Sequence, residues 1–162
     1  VNAVRQRARQ PARPENHSAS QARLEAIRAA EHRECFLCGI ANPLGLGLAF
    51  EVQENGSVLA RFPCLDTLAS YRETLHGGVV AAVLDAAMTN ALFAAGVVAV
   101  TAELTVRFVA PAVNGRDAVV RAWIDRTTSH RLYYVRSELE QDRQVVARAS
   151  ARFIERGPAR PG

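Results

Sequence analysis

The chain has 162 residues, 49% of them apolar and 22% charged. That is the make-up of one ordinary globular domain, and it excludes a disordered chain or one that needs disulfides to fold. Three cysteines are an odd number, so a complete intramolecular disulfide framework is excluded as well. The formal charge of +4 lies in residues 1–33, which hold seven Arg and three acids; the remaining thirteen Arg and thirteen acids cancel, leaving no basic field of the kind nucleic acid demands. All twenty basic residues are Arg, a usage read first as compositional bias and second as suited to phosphate, which a guanidinium grips with two hydrogen bonds.

Residues 1–20 are rich in Arg, Pro, Gln and Ser without apolar periodicity and read as a solvated, mobile tail. No apolar run follows the Arg-rich opening, so it does not read as a signal peptide, and a cytoplasmic location is the expectation. Leu24, Ile27 and Ala30 predict a short helix over about 21–33, with Ser20 as its cap. Leu48, Phe50 and Val52 alternate as a strand, Asn55-Gly56 turns the chain, and Val58, Ala60 and Phe62 return it. Residues 63–75 read as irregular.

Residues 78–95 predict one helix that is apolar nearly all round, with Asp85, Thr89 and Asn90 as its strongly polar side chains. The run from Gly77 to Val100 is long enough to span a bilayer. Asp85 near its middle would cost about 2.5–3.5 kcal/mol there, and the period-two strands around the helix favour a soluble core. Those strands are expected at about 98–110, 117–127, 131–141 and 144–154. Residues 157–162 read as a frayed tail. The order β-β-α-β-β-β-β predicts an α+β fold with one helix against one antiparallel sheet. The helix looks too apolar for one sheet to cover, which argues for a dimer.

The chemistry concentrates at Tyr71-Arg-Glu-Thr-Leu-His76-Gly77-Gly78 and Asp85. Two glycines at a helix start let a ligand approach backbone N–H groups that the helix leaves free and positively biased. Such donors stabilise the oxyanion formed when a carbonyl is attacked. Asp85 sits two turns on, among Val, Ala, Leu and Met, where a carboxylate must be paired, solvated or protonated; it is a candidate general base or nucleophile. Thr89 and Asn90 either lie near its face or simply pack. Cys35-x-x-Cys38 has the spacing of half a zinc site. His32 and Cys64 complete it on paper only, so reduced cysteines and no metal are the expectation, with His17 and His32 solvated and His130 in a turn. There is no Gly-x-Ser-x-Gly elbow, P-loop or dinucleotide fingerprint.

His76-Gly77-Gly78 with Asp85 nine residues after the His, and Thr101 opening the next strand, resembles the PaaI-like branch of the hot-dog-fold acyl-CoA thioesterases. Ala110-Pro111-Ala112 is similar to the Pro-containing end of that family's strand, and Cys35-Phe-x-Cys38-Gly39 with Asn42-Pro43-x-Gly45-Leu46 is similar to its lead-in. The resemblance covers about residues 35–155, leaving 1–34 as a basic tail with a short helix and 156–162 as a tail. It implies a curved sheet wrapped around one long helix, a homodimer or dimer of dimers, an acyl-CoA substrate, and no cofactor. It implies that Gly77 polarises the thioester carbonyl, that Asp85 of the partner subunit activates water or attacks, that Thr101 holds the water or carboxylate, and that His76 orients the carbonyl or the loop. Gly78 and Thr89 fall beside this substrate site. Ser70 stands where relatives carry Asn or Gln. Arg107, Arg131 and Arg152 are the candidates to meet the CoA phosphates. The rival readings are a hydratase or dehydratase on the same fold, and a non-catalytic acyl-CoA binding protein.

Overall fold

The computed structural model describes residues 17–129 and 131–156; the expectations for residues 1–16, His130 and 157–162 lie outside them. The long apolar segment forms α2, Gly77–Ala94. The helix stops because Gly96 takes a φ of +80°, which costs glycine little. Its N–H then donates to Phe93 and that of Val97 to Leu92, both at 2.9 Å, the Schellman arrangement that satisfies the last carbonyls.

The strands are β1 (Glu51–Val52), β2 (Val58–Pro63), β3 (Ala69–Tyr71), β4 (Thr74–Leu75), β5 (Ala99–Phe108), β6 (Asp117–Thr127), β7 (Leu132–Gln141) and β8 (Gln144–Glu155). Six of them build one antiparallel sheet in the order β1-β2-β6-β7-β8-β5. It is curved and packs its apolar face on α2, the α+β hot-dog arrangement that the resemblance implied. Phe62, Val120, Leu139 and Phe153 from the sheet, with Leu84, Met88 and Leu92 from the helix, are fully buried in that layer. Residues 63–75 are not irregular: a 3-10 turn at Asp66–Leu68 leads into the β3–β4 pair.

The first helix, α1, runs His17–Glu31, so Ser20 lies inside it rather than at its cap. Leu24 is completely buried against the core. The Gln21 carboxamide accepts the Val52 N–H at 2.8 Å and donates to the Phe50 carbonyl at 3.3 Å, so α1 closes the β1 edge of the sheet. This helix also corrects one inference. From Ala86 to Ala94 every residue of α2 is buried within one chain, because α1 covers the side that the sheet leaves open. Only the first half stays partly open, with Val79, Ala81, Ala82 and Asp85 half-buried. The opposite edge strand, β5, leaves Val100, Leu104 and Phe108 exposed.

Candidate functional site

The start of α2 is built by His76. It is extended (φ −64°, ψ 127°), and its Nδ1 accepts the Gly78 N–H at 2.9 Å. With Nδ1 as the acceptor, Nε2 is the ring nitrogen left to donate. A Cβ on Gly78 would lie 3.0 Å from that nitrogen, so glycine makes room for the cap. The Gly78 donor is therefore spent on His76, and only the Gly77 N–H is left without an acceptor among the described residues. Removing the imidazole in His76→Ala is expected to cost about 1 kcal/mol and to lower Tm by roughly 2–4 °C. An unchanged melting curve would refute the capping role.

Gly77 opens onto an apolar cleft of about 380 Å³, walled by Ser70, Tyr71, Phe108, Pro111 and Val146 among others. Ser70 comes from β3, so the short hairpin brings it to the same cleft as Gly77. The far wall is fixed by the Leu75 N–H donating to Ala112 at 2.9 Å. Behind it the buried Gln141 carboxamide bonds Val113 at 2.8 and 2.9 Å and Arg116 at 3.0 Å. Nothing in its strand pattern singles Gln141 out, because the partners it serves arrive only with the fold.

Asp85 is half-buried on α2, and Thr101 donates its hydroxyl to Asp85 Oδ1 at 2.8 Å. Burial pushes the carboxyl above the usual aspartate range; the Thr101 hydrogen bond and the nearby His32 pull it partly back. Strict alternation along β5 would put Thr101 on the outer face with Glu103, Thr105 and Arg107. A bulge between Thr101 and Glu103 inserts one residue, so Thr101 lies opposite Phe153 on the helix face while Glu103 lies opposite Arg152 on the outer face.

Gly77 and Asp85 are eight residues apart on one helix, a rise of about 12 Å. The free N–H groups of a helix start point out of its end, away from the next turns. One carbonyl cannot meet both groups in a single chain. The remaining candidates fall elsewhere. Thr89 is buried and lines neither this cleft nor the outer-face groove. Arg107 lies on the outer face of the sheet, in that groove with Arg136 and Arg148. Arg152 is paired with Glu103, and Arg131 with Glu155 at 3.7 Å.

The three cysteines are free, as expected, and it is His32 that departs from expectation. His32 is not solvated: its ring packs edge-on against Phe93 at 4.9 Å, and Nδ1 lies 3.9 Å from Cys38 Sγ. With Cys35 it forms a three-residue cluster whose ligand atoms all lie within 4.8 Å of one another. Cys64 is apart from it, beside Phe62 and Gln141. Burial pushes the Cys38 thiol up to about 11, which makes it a poor redox nucleophile.

The thioesterase superfamily model matches residues 73–147, the span that carries His76-Gly77-Gly78, Asp85 and Thr101. Among solved structures, a thioesterase superfamily protein aligns with a TM-score of 0.71 at 22% identity over 75% of this chain; the chain spans 60% of the length of that relative. A phenylacetic acid degradation-related protein from Ralstonia eutropha JMP134 aligns at 0.60 with 27% identity, over 67% of this chain and 84% of its own. The PaaI protein of E. coli, from the phenylacetic acid degradation operon, aligns at 0.72 with 15% identity, over 87% and 96%. None of the curated proteins compared with the chain matches it. Residues 73–147 thus match the thioesterase superfamily, and the fold is the hot-dog fold of the PaaI-like structures.

Proposed function

We propose that this protein is an acyl-CoA thioesterase working as a homodimer, each site taking Gly77 from one subunit and Asp85 with Thr101 from the other. The observation that carries this reading is a half-buried carboxylate held by one hydroxyl at 2.8 Å, too far along its own helix from the free Gly77 N–H to share a substrate with it. The exposed apolar row on β5 and the partly open first half of α2 supply the surface for a partner.

In this mechanism the thioester carbonyl oxygen accepts the Gly77 N–H. Asp85 takes a proton from water as the water oxygen bonds the carbonyl carbon, or attacks that carbon itself to give, once the thiolate leaves, a mixed anhydride that water then hydrolyses to the free acid and the restored carboxylate. The electron pair that moves onto oxygen is held by the helix-start donor. It returns as the C–S bond breaks, and CoA leaves as the thiol once it takes up a proton. Thr101 orients the carboxylate. The apolar cleft beside Gly77 receives an aryl or medium aliphatic acyl group.

The test is release of free thiol from a panel of aryl and aliphatic acyl-CoAs. Turnover on at least one class is expected. Tight CoA-ester binding without turnover on any would favour a binding protein instead. The pH profile probes the carboxylate. A base must be ionised, so activity is expected to rise with pH through an acid limb lying above the usual aspartate range. Thr101→Val removes the hydrogen bond that favours the charged form and is expected to move that limb to higher pH. A limb that stays in place would separate Thr101 from Asp85 titration.

A further inference from the structure

We propose that His32, Cys35 and Cys38 bind a zinc-type divalent cation, with Asn90 supporting the ion's fourth position. A ring nitrogen of His32, Cys35 Sγ and Cys38 Sγ lie within 4.8 Å of one another, and His32 Nδ1 is 3.9 Å from Cys38 Sγ. A tetrahedral zinc, about 2.3 Å from sulfur and 2.0–2.1 Å from nitrogen, sets its ligand atoms roughly 3.5–3.8 Å apart. The cluster needs only a small closure to reach that geometry, and one nitrogen with two sulfurs is a donor set that favours zinc among abundant divalent ions.

Two further observations point to an ion. Asn90 is completely buried, and its carboxamide lies beside the Cys38 sulfur. Its Nδ2 donates to Ala86 at 2.8 Å, yet its Oδ1 has no hydrogen-bond partner. A buried orphan acceptor is costly; a water on the cation's fourth position would donate to it. The loop is also shaped as a tight knuckle. The Gly39 N–H donates to the Cys35 carbonyl at 2.8 Å, and a Cβ on Gly39 would fall 2.4 Å from the Cys35 nitrogen, so only glycine lets the backbone fold back on the cysteine. His32 and Cys35 are half-buried, which leaves the ion a route in. The ion would tie the end of α1 and the loop after it to the buried half of α2, separately from any turnover.

The test uses the full-length chain, purified without a polyhistidine tag and fully reduced, titrated with Co²⁺ and then Zn²⁺. The expected result is about one Co²⁺ per chain, with a sulfur-to-cobalt charge-transfer band and the visible bands of a tetrahedral ion, displaced by an equal amount of Zn²⁺. Zinc should slow alkylation of Cys35 and raise Tm, and a chelator should reverse both. Cys35→Ser and His32→Gln should lose stoichiometric binding, Cys64→Ser should keep it, and Asn90→Ala should weaken it on the order of tenfold. No uptake by the reduced wild-type chain overturns the proposal, as does uptake that survives both Cys35→Ser and His32→Gln. A Cys35–Cys38 disulfide that reforms in the presence of zinc also overturns it. The wild-type titration stands even if a variant fails to fold, and none of these readouts depends on thioesterase activity.

Discussion

Asp85→Asn is expected to lower turnover on the order of 10²–10⁴-fold while leaving Tm unchanged or raising it. The change keeps size and shape, and the Thr101 hydroxyl can still donate to the remaining oxygen, as it does at 2.8 Å. What disappears is the charge. Burial raises the Asp85 pKa in the folded chain, so the native state holds this proton more tightly than the unfolded state does. Stability therefore falls as pH rises from the ordinary aspartate value through the folded one, and at neutral pH the fold carries the cost of a partly buried charge. Asparagine removes that cost, so a functional carboxylate shows itself by lost turnover without lost stability. Thermal melts beside initial rates check this. Retained turnover would remove Asp85 from the mechanism, and a large fall in Tm would make any loss structural. Single turnover in ¹⁸O-water then identifies a nucleophile whose anhydride is opened at the Asp85 carboxyl carbon: it first delivers its own unlabelled oxygen, whereas a base puts label into the acid at once.

Gly77→Pro is expected to lower turnover on the order of 10²–10³-fold with the helix intact. Gly77 is the first helical residue, where proline is well tolerated because its missing N–H has no intrahelical partner. His76 already has the extended backbone that a residue before proline prefers. A Cβ at this position meets Phe108 at 3.4 Å, an ordinary contact. The substitution thus removes the one donor left free by the His76 cap and perturbs little else. Mixing the two inactive variants tests the shared site directly. Random reassortment makes half of the dimers mixed, and each mixed dimer has one site with both Gly77 and Asp85 intact, so about a quarter of wild-type turnover should return. No recovery from subunits shown to exchange would place both groups in one chain or take one of them out of the reaction.

Much of this was legible in one dimension. The long helix announced itself by length and apolarity, and the four long strands by alternation, because each pattern matches a fixed backbone period. Asp85 stood out because a carboxylate in an apolar run needs a reason. The hairpin β3–β4 was missed: two- and three-residue strands carry too little pattern, and their pairing is made by the fold. The helix-covering argument for a dimer was partly misplaced, since an amphipathic segment such as α1 does not say which face of which helix it will cover.

The sequence by itself determined the order of the long elements, the helix start at His76-Gly77-Gly78 and the carboxylate two turns on, because these follow from local chemistry and from separations along a single helix. The tertiary structure alone decided which groups meet. The bulge in β5 turns Thr101 from the outer face to Asp85. The cap spends the Gly78 N–H and leaves that of Gly77. The docking of α1 and the loop after it brings His32 to Cys35 and Cys38 while leaving Cys64 elsewhere. Each depends on where one element packs against another, and a pattern that repeats along a chain holds no information about that.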